Sequence, residues 1–236
     1  MTWALTLHAL RECQRRPLPY LVIITAVALA LASQLLHAFS FGAGAAEAAN
    51  LAISAVFVAA LAHACFVGTA LVRVDLERGT LGLILSQPVG LTAYLGGRFA
   101  GLALSALLVC GLTAAGTSAA LLAAGAPPEA FGSQLLLGWG RVMLAALVLD
   151  AAALALSAAA SRVYAPLLLL ALFLAGDLAE SSFLGRVLPS FAAYSFEVGR
   201  TPPWAWLFLY TLLYCGAFLL AACLLLSLRP RVKSES

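Results

Sequence analysis

Residues 51–72 read LAISAVFVAALAHACFVGTALV, and residues 73–98 continue RVDLERGTLGLILSQPVGLTAYLGGR. The first stretch carries no Asp, Glu, Lys or Arg. It is as long as the run of about 20 apolar residues that a helix needs to cross the hydrocarbon core of a bilayer. The second opens on a burst of charge, Arg73, Asp75, Glu77 and Arg78, and closes on Arg98 before another long apolar run begins at Phe99. Span, short polar connection, span: this alternation fixes the class. Hydrophobic residues make up 64% of the 236-residue chain and charged ones only 10%. Mean hydropathy is +1.03, more apolar surface than a soluble domain of this length can hide.

Working outward, the sequence predicts an all-α integral membrane protein, a single transmembrane domain over residues 1–236 with about six transmembrane helices. The expected spans are 18–41, 51–72, 99–124, 135–160, 163–184 and 204–228. The fifth is short unless its helix continues past Leu178, and five spans with a re-entrant segment is the alternative. Orientation follows from the basic residues of short loops, which favour the cytoplasm. With the N-terminus inside, Arg11, Arg15, Arg16, Arg73, Arg78, Arg98, Arg162, Arg229, Arg231 and Lys233 are cytoplasmic, and only Arg186 and Arg200 lie in outer loops. Both termini are then cytoplasmic, the tail being 229–236. Trp204 and Trp206 at the outer end of the last span agree with this direction. The formal net charge of +3 is scattered and not gathered in a strip, so nucleic acid is not an expected partner.

Three segments outside the spans carry pattern. In residues 2–16, Trp3, Leu7 and Leu10 recur at helical spacing opposite Arg11, Glu12 and Arg15, which predicts a surface helix on the inner leaflet. The same residues also read as a basic leader that orients the first span. In the loop after residue 72, Leu81, Ile84 and Leu85 form an apolar stripe that Pro88 would end and Gly90 would help to turn. Such a stripe needs a surface to dock on, either headgroups or a cytoplasmic protein. The outer segment 185–203 holds Val187, Leu188, Phe191, Tyr194 and Phe196, too apolar for a solvated loop. Re-entrant or interfacial helices are expected there.

At the loop the chain resembles a type-2 ABC exporter permease. The likeness rests on Glu77-Arg78-Gly79-Thr80-Leu81, on Leu85-Ser86-Gln87-Pro88-Val89, and on Tyr94-Leu95-Gly96-Gly97-Arg98-Phe99. It covers the whole chain in layout, but only these residues by motif. The group linked to copper-enzyme maturation is the most similar, and the haem-exporter permease is more distant. The resemblance implies a bacterial cytoplasmic (inner) membrane protein in which two permease halves, identical or paralogous, frame a translocation path. It also implies two separate ATPase subunits below, which bind ATP and Mg. Residues 75–87 would be the coupling helix fitting a groove on the ATPase, with Asp75, Glu77, Arg78, Gly79, Thr80, Leu81, Ile84, Leu85 and Pro88 in that role. Residues 2–16 would be an elbow helix, and the outer segment would cap the exit.

Independently of that likeness, this chain cannot hydrolyse ATP through a P-loop. The lysine of that motif follows a glycine-rich turn, and the sole lysine here, Lys233, follows Arg231-Val232. No G-x-S-x-G or H-E-x-x-H pattern is present either, so the chain is not expected to be an enzyme. Within the spans, Asp150 stands out, because a mid-membrane charge costs about 2.5–3.5 kcal/mol or more. It reads as a hydrogen bond to a neighbouring helix or as part of a pathway. Arg141 lies nine residues away on the opposite helix face and would reach Glu129 or Glu180. Asp177 and Glu180 form an acidic patch that would bind a cation or cargo, or cap a helix end. No metal site is expected: His63 and Cys65 diverge at i, i+2, and the five cysteines have no ligand spacing. Two readings compete with the exporter, namely a self-contained secondary carrier or channel, and a membrane scaffold.

Overall fold

The computed structural model describes residues 2–14, 24, 28, 44–86, 90–123, 128–178, 188–194 and 202–228. Nearly all of the expected first span, Gln87 to Val89, Glu180, most of the outer segment and the tail 229–236 lie outside the described residues, as do the side chains of Leu85, Glu129 and Asp177. The described residues are helical and include no strand. Helix α1 spans Thr2–Gln14, α2 Gly44–His63, and a π-helical turn Ala64–Gly68 leads directly into α3, Thr69–Glu77. Helix α4 spans Thr80–Leu85, α5 Leu91–Ala123, α6 Pro128–Ala159 and α7 Tyr164–Leu178. A 3-10 turn at Phe191–Tyr194 precedes α8, Trp204–Ser227.

Four of these rods are long and apolar enough to cross a membrane: Ala49–Glu77, Leu91–Ala123, Leu135–Ala159 and Trp204–Ser227. They mark a membrane protein. Helix α7 has 15 residues, about 22 Å, less than a hydrocarbon core of about 30 Å. Two rods outrun their apolar cores. The α2–α3 rod continues past Val72 through Arg73, Asp75 and Glu77, and α5 begins two turns ahead of Phe99. Hydropathy marks only the part of a helix that lipid favours, whereas backbone hydrogen bonding continues until something stops it. The overhangs bring charged residues of both rods to one end of the bundle.

Helix α6 is the axis, packed against α2, α3, α5, α7 and α8. Its spanning window is 78% buried, against 17% for that of α8. The reason is in its side chains: Ala145, Ala146, Ala151, Ala152, Ala153 and Ala158 are buried, and small residues let helices approach where no water drives them together. Leu212, Leu213, Leu220 and Leu224 of α8 face outward instead. Helix α1 lies against α5, burying Ala9 and Cys13 completely beside Tyr94, Leu95 and Leu102 while Trp3 stays exposed.

The expected helix over residues 75–87 is divided. Asp75 and Glu77 belong to α3, and the chain breaks at Arg78–Gly79 before α4. Gly79 adopts φ +68, the left-handed conformation that a side chain makes costly, and its N–H bonds the Leu76 carbonyl at 3.3 Å. The expected outward stripe is also corrected. Leu81 and Ile84 pack against the bundle's own core with Leu76, Leu91 and Phe99. Among the described side chains of α4, Leu83, 73% exposed, is the apolar one offered outward, beside exposed Glu77, Arg78 and Gly82.

Candidate functional site

The first polar centre lies where the overhanging ends of α3 and α5 meet α1. Arg98 donates through one terminal nitrogen to Glu12 Oε2 at 2.7 Å and through the other to Asp75 Oδ2. The Tyr94 hydroxyl donates to the same Asp75 oxygen, and Thr80 Oγ1 donates to Asp75 Oδ1 at 3.2 Å. The Arg98 guanidinium also stands 5.6 Å from the centre of the Tyr94 ring. Arg98 and Asp75 are buried, so their attraction is little screened. Spacing explains part of the assembly: Tyr94 and Arg98, at i, i+4, share one face of α5. Four elements, α1, α3, α4 and α5, therefore close on one carboxylate and one guanidinium. Arg73 pairs with Glu77 at 2.9 Å on the exposed side of α3.

This changes the place of Asp75. It faces inward between α1, α3 and α5 and holds Thr80 at the start of α4. Glu77, Arg78 and Gly79 lie at the surface, Thr80 is half-buried, and Pro88 is outside the described residues.

A second centre lies inside the spanning bundle. His63, the last residue of α2, approaches Ser105 of α5 with Nε2 3.1 Å from Oγ, and Asp150 of α6 with Nδ1 3.4 Å from Oδ1. All three are buried. At 3.4 Å the second contact is long for a hydrogen bond and acts chiefly as an electrostatic one. Asp150 thus lies against His63 of a neighbouring helix.

Arg141 is not brought to Asp150. It sits toward the other end of α6, buried, donating to the Pro202 carbonyl at 3.4 Å and standing 5.5 Å from the Trp204 ring centre. Nearby, the backbone N–H of Ser190 donates to the Tyr210 hydroxyl at 2.8 Å, and the Tyr194 hydroxyl shares a 2.9 Å hydrogen bond with Thr211. Burial pushes the Tyr194 phenol up to about 12, so it stays protonated as a hydrogen-bonding group. Asp177 ends in the last turn of α7.

Sequence reasoning singled out Asp75 and Asp150 but not their partners. By sequence Arg98 marks topology, Glu12 lies on the polar face of a surface helix, and His63 has only Cys65 as a nearby ligand type. Each partner is remote in sequence, 86 residues apart for Arg98 and Glu12. The buried charge itself was the available signal, since a carboxylate among apolar residues calls for a donor. No protein-family model matches the chain, and no curated protein is significantly similar to it.

Proposed function

We propose that this chain is the membrane-spanning permease subunit of an ATP-driven exporter of the type-2 ABC class, working with a second permease half and with separate ATPase subunits. The observation that carries the reading is the tether of α4. A short helix with an exposed leucine hangs between two spanning rods, and Thr80 at its start is bonded to the Asp75 that Arg98 clamps to α5. A force on α4 would reach both rods and the surface helix through that clamp, as coupling to a cytoplasmic motor requires. The loop motif Glu77-Arg78-Gly79-Thr80-Leu81 supports the same assignment. Docking then falls to Leu83, Glu77 and Arg78, while Leu81 and Ile84 fix α4 to the bundle. Localisation in a bacterial cytoplasmic membrane, with both termini inside, belongs to this proposal.

The test is purification of the full chain from membranes with its genomic neighbours co-expressed. A P-loop ATPase is expected in the eluate, at least tenfold depleted by Leu83→Arg (about 1.4 kcal/mol per tenfold). Leu83 is exposed, so this variant should fold. Absence of any P-loop protein, or capture indifferent to Leu83→Arg and Glu77→Arg together, defeats the docking assignment. A second reading, a self-contained ion-coupled carrier, draws on the His63–Asp150 contact, since intramembrane ionisable groups mark ion paths in that class.

A further inference from the structure

We propose that His63, Asp150 and Ser105 form a proton-binding site inside the bundle, one that holds a single exchangeable proton between the imidazole and the carboxyl group. Three spanning rods contribute one residue each, and the side chains of His63 and Asp150 are 0% and 1% exposed. Among the described residues, His63 Nδ1 and both Asp150 oxygens lack a well-formed hydrogen bond. A bare carboxylate in such a place is costly, and a bound proton offsets that cost. With one proton the pair is neutral overall, as carboxylic acid and imidazole or as carboxylate and imidazolium. Ser105 Oγ meets Nε2 in either case, accepting from it or donating to it as the ring requires.

The other titratable groups near the pair are thiols: Cys110 of α5 and Cys215 of α8 lie in electrostatic reach of Asp150. A thiol is neutral or anionic and never a cation. No described cation therefore neutralises Asp150 in place of a proton. Arg98 and Asp75 are committed to each other at the α1 end, and Arg141 lies toward Trp204.

The π turn begins at the residue after His63: Thr69 N–H reaches back to the Ala64 carbonyl, and the Thr69 hydroxyl bonds the Cys65 carbonyl. Such a turn departs from the regular α-helical ladder, and single π turns inside helices are frequent at functional sites. Gly68 at its end lets α6 close in, since a Cβ there would stand 2.8 Å from Ala153 Cβ and 3.9 Å from Asp150 Oδ1. Proton occupancy and the α2–α6 crossing are thus adjacent. Nucleophilic catalysis is not the use of this trio. Ser105 is buried within a continuous helix whose N–H groups are engaged, so neither an exposed nucleophile nor an oxyanion site is provided. A metal is likewise not indicated, because no group of three His, Cys, Asp or Glu among the described residues is arranged to hold one.

The test uses the full chain in phosphatidylcholine vesicles, with carboxyl-labelled aspartate, in infrared difference spectra between about pH 5 and about pH 9, which bracket the ordinary histidine range. The expected result is a carboxylic-acid band, sensitive to D2O, that changes with pH by one equivalent per chain. It is lost in Asp150→Asn and shifted in His63→Gln. If the Asn variant fails to assemble, nitrogen-15 spectra of His63 in the wild type carry the test, and the Nδ1 signal must change over the same range. A pH-independent band and ring signal, or a band that survives Asp150→Asn, overturns the site. No ATPase takes part, so this result is separate from the fate of the exporter reading.

Discussion

At the scale of single residues, Arg98 is the most constrained side chain of the chain's polar clamp. Removing it by Arg98→Met leaves Asp75 buried without its charge partner, and breaking a buried pair in this way costs about 3–5 kcal/mol. The expected outcome is a large fall in the denaturation midpoint of the detergent-solubilised protein, with α1 becoming accessible to protease. Arg98→Lys should recover only part of the loss, because an ammonium cannot span Glu12 and Asp75 as a guanidinium fork does. Gly79→Ala is a milder lesion. It places a Cβ on a φ of +68 with open space around it, so the expected cost is the backbone term alone, about 1–2 kcal/mol, read from the same midpoint.

Among the elements, α4 and α6 were legible to very different degrees. The apolar runs and the charged interval at 73–78 located the rods, because lipid imposes one strong condition on every residue inside it. What that condition cannot fix is where a rod stops beyond the hydrocarbon, and α3 and α5 both extend into the polar zone. The stripe Leu81, Ile84, Leu85 was visible as a pattern, yet its direction was not. A stripe is equally content against its own bundle or another protein, and Tyr94, Phe99 and Leu91 supplied the nearer surface. This makes Leu81→Arg and Leu83→Arg distinguishable probes. Leu81→Arg should lower stability by forcing charge against the core, whereas Leu83→Arg should leave the midpoint unchanged and remove ATPase capture. The buried meeting at Asp150 is half legible, because that acid stands in an apolar run; Asp75 sits in a charged interval that does not mark it as buried, and nothing local names His63 or Arg98 as partners.

For the whole molecule, the split between a buried axis and exposed flanks decides where change is tolerated. A charge introduced at exposed Leu213 on α8, for example Leu213→Arg, meets lipid and should cost about 2.5–3.5 kcal/mol of insertion free energy. The measurement is the membrane-integrated fraction in an insertion assay. Topology is testable on the same scale. Cysteines placed singly at Ser234 and Ser133 in a cysteine-free background should be labelled from opposite sides of sealed vesicles, Ser234 from the cytoplasmic side. Labelling of both from one side would contradict the proposed orientation.

Because Ala9 and Cys13 are sealed against α5 and Glu12 is held by Arg98, α1 cannot drift across the leaflet independently. Trp3, exposed on that same helix, becomes a fixed depth gauge for the entire bundle. With the other three tryptophans replaced by phenylalanine, quenching of its fluorescence by lipids brominated at successive acyl carbons would report how far the protein rides up or down in the bilayer.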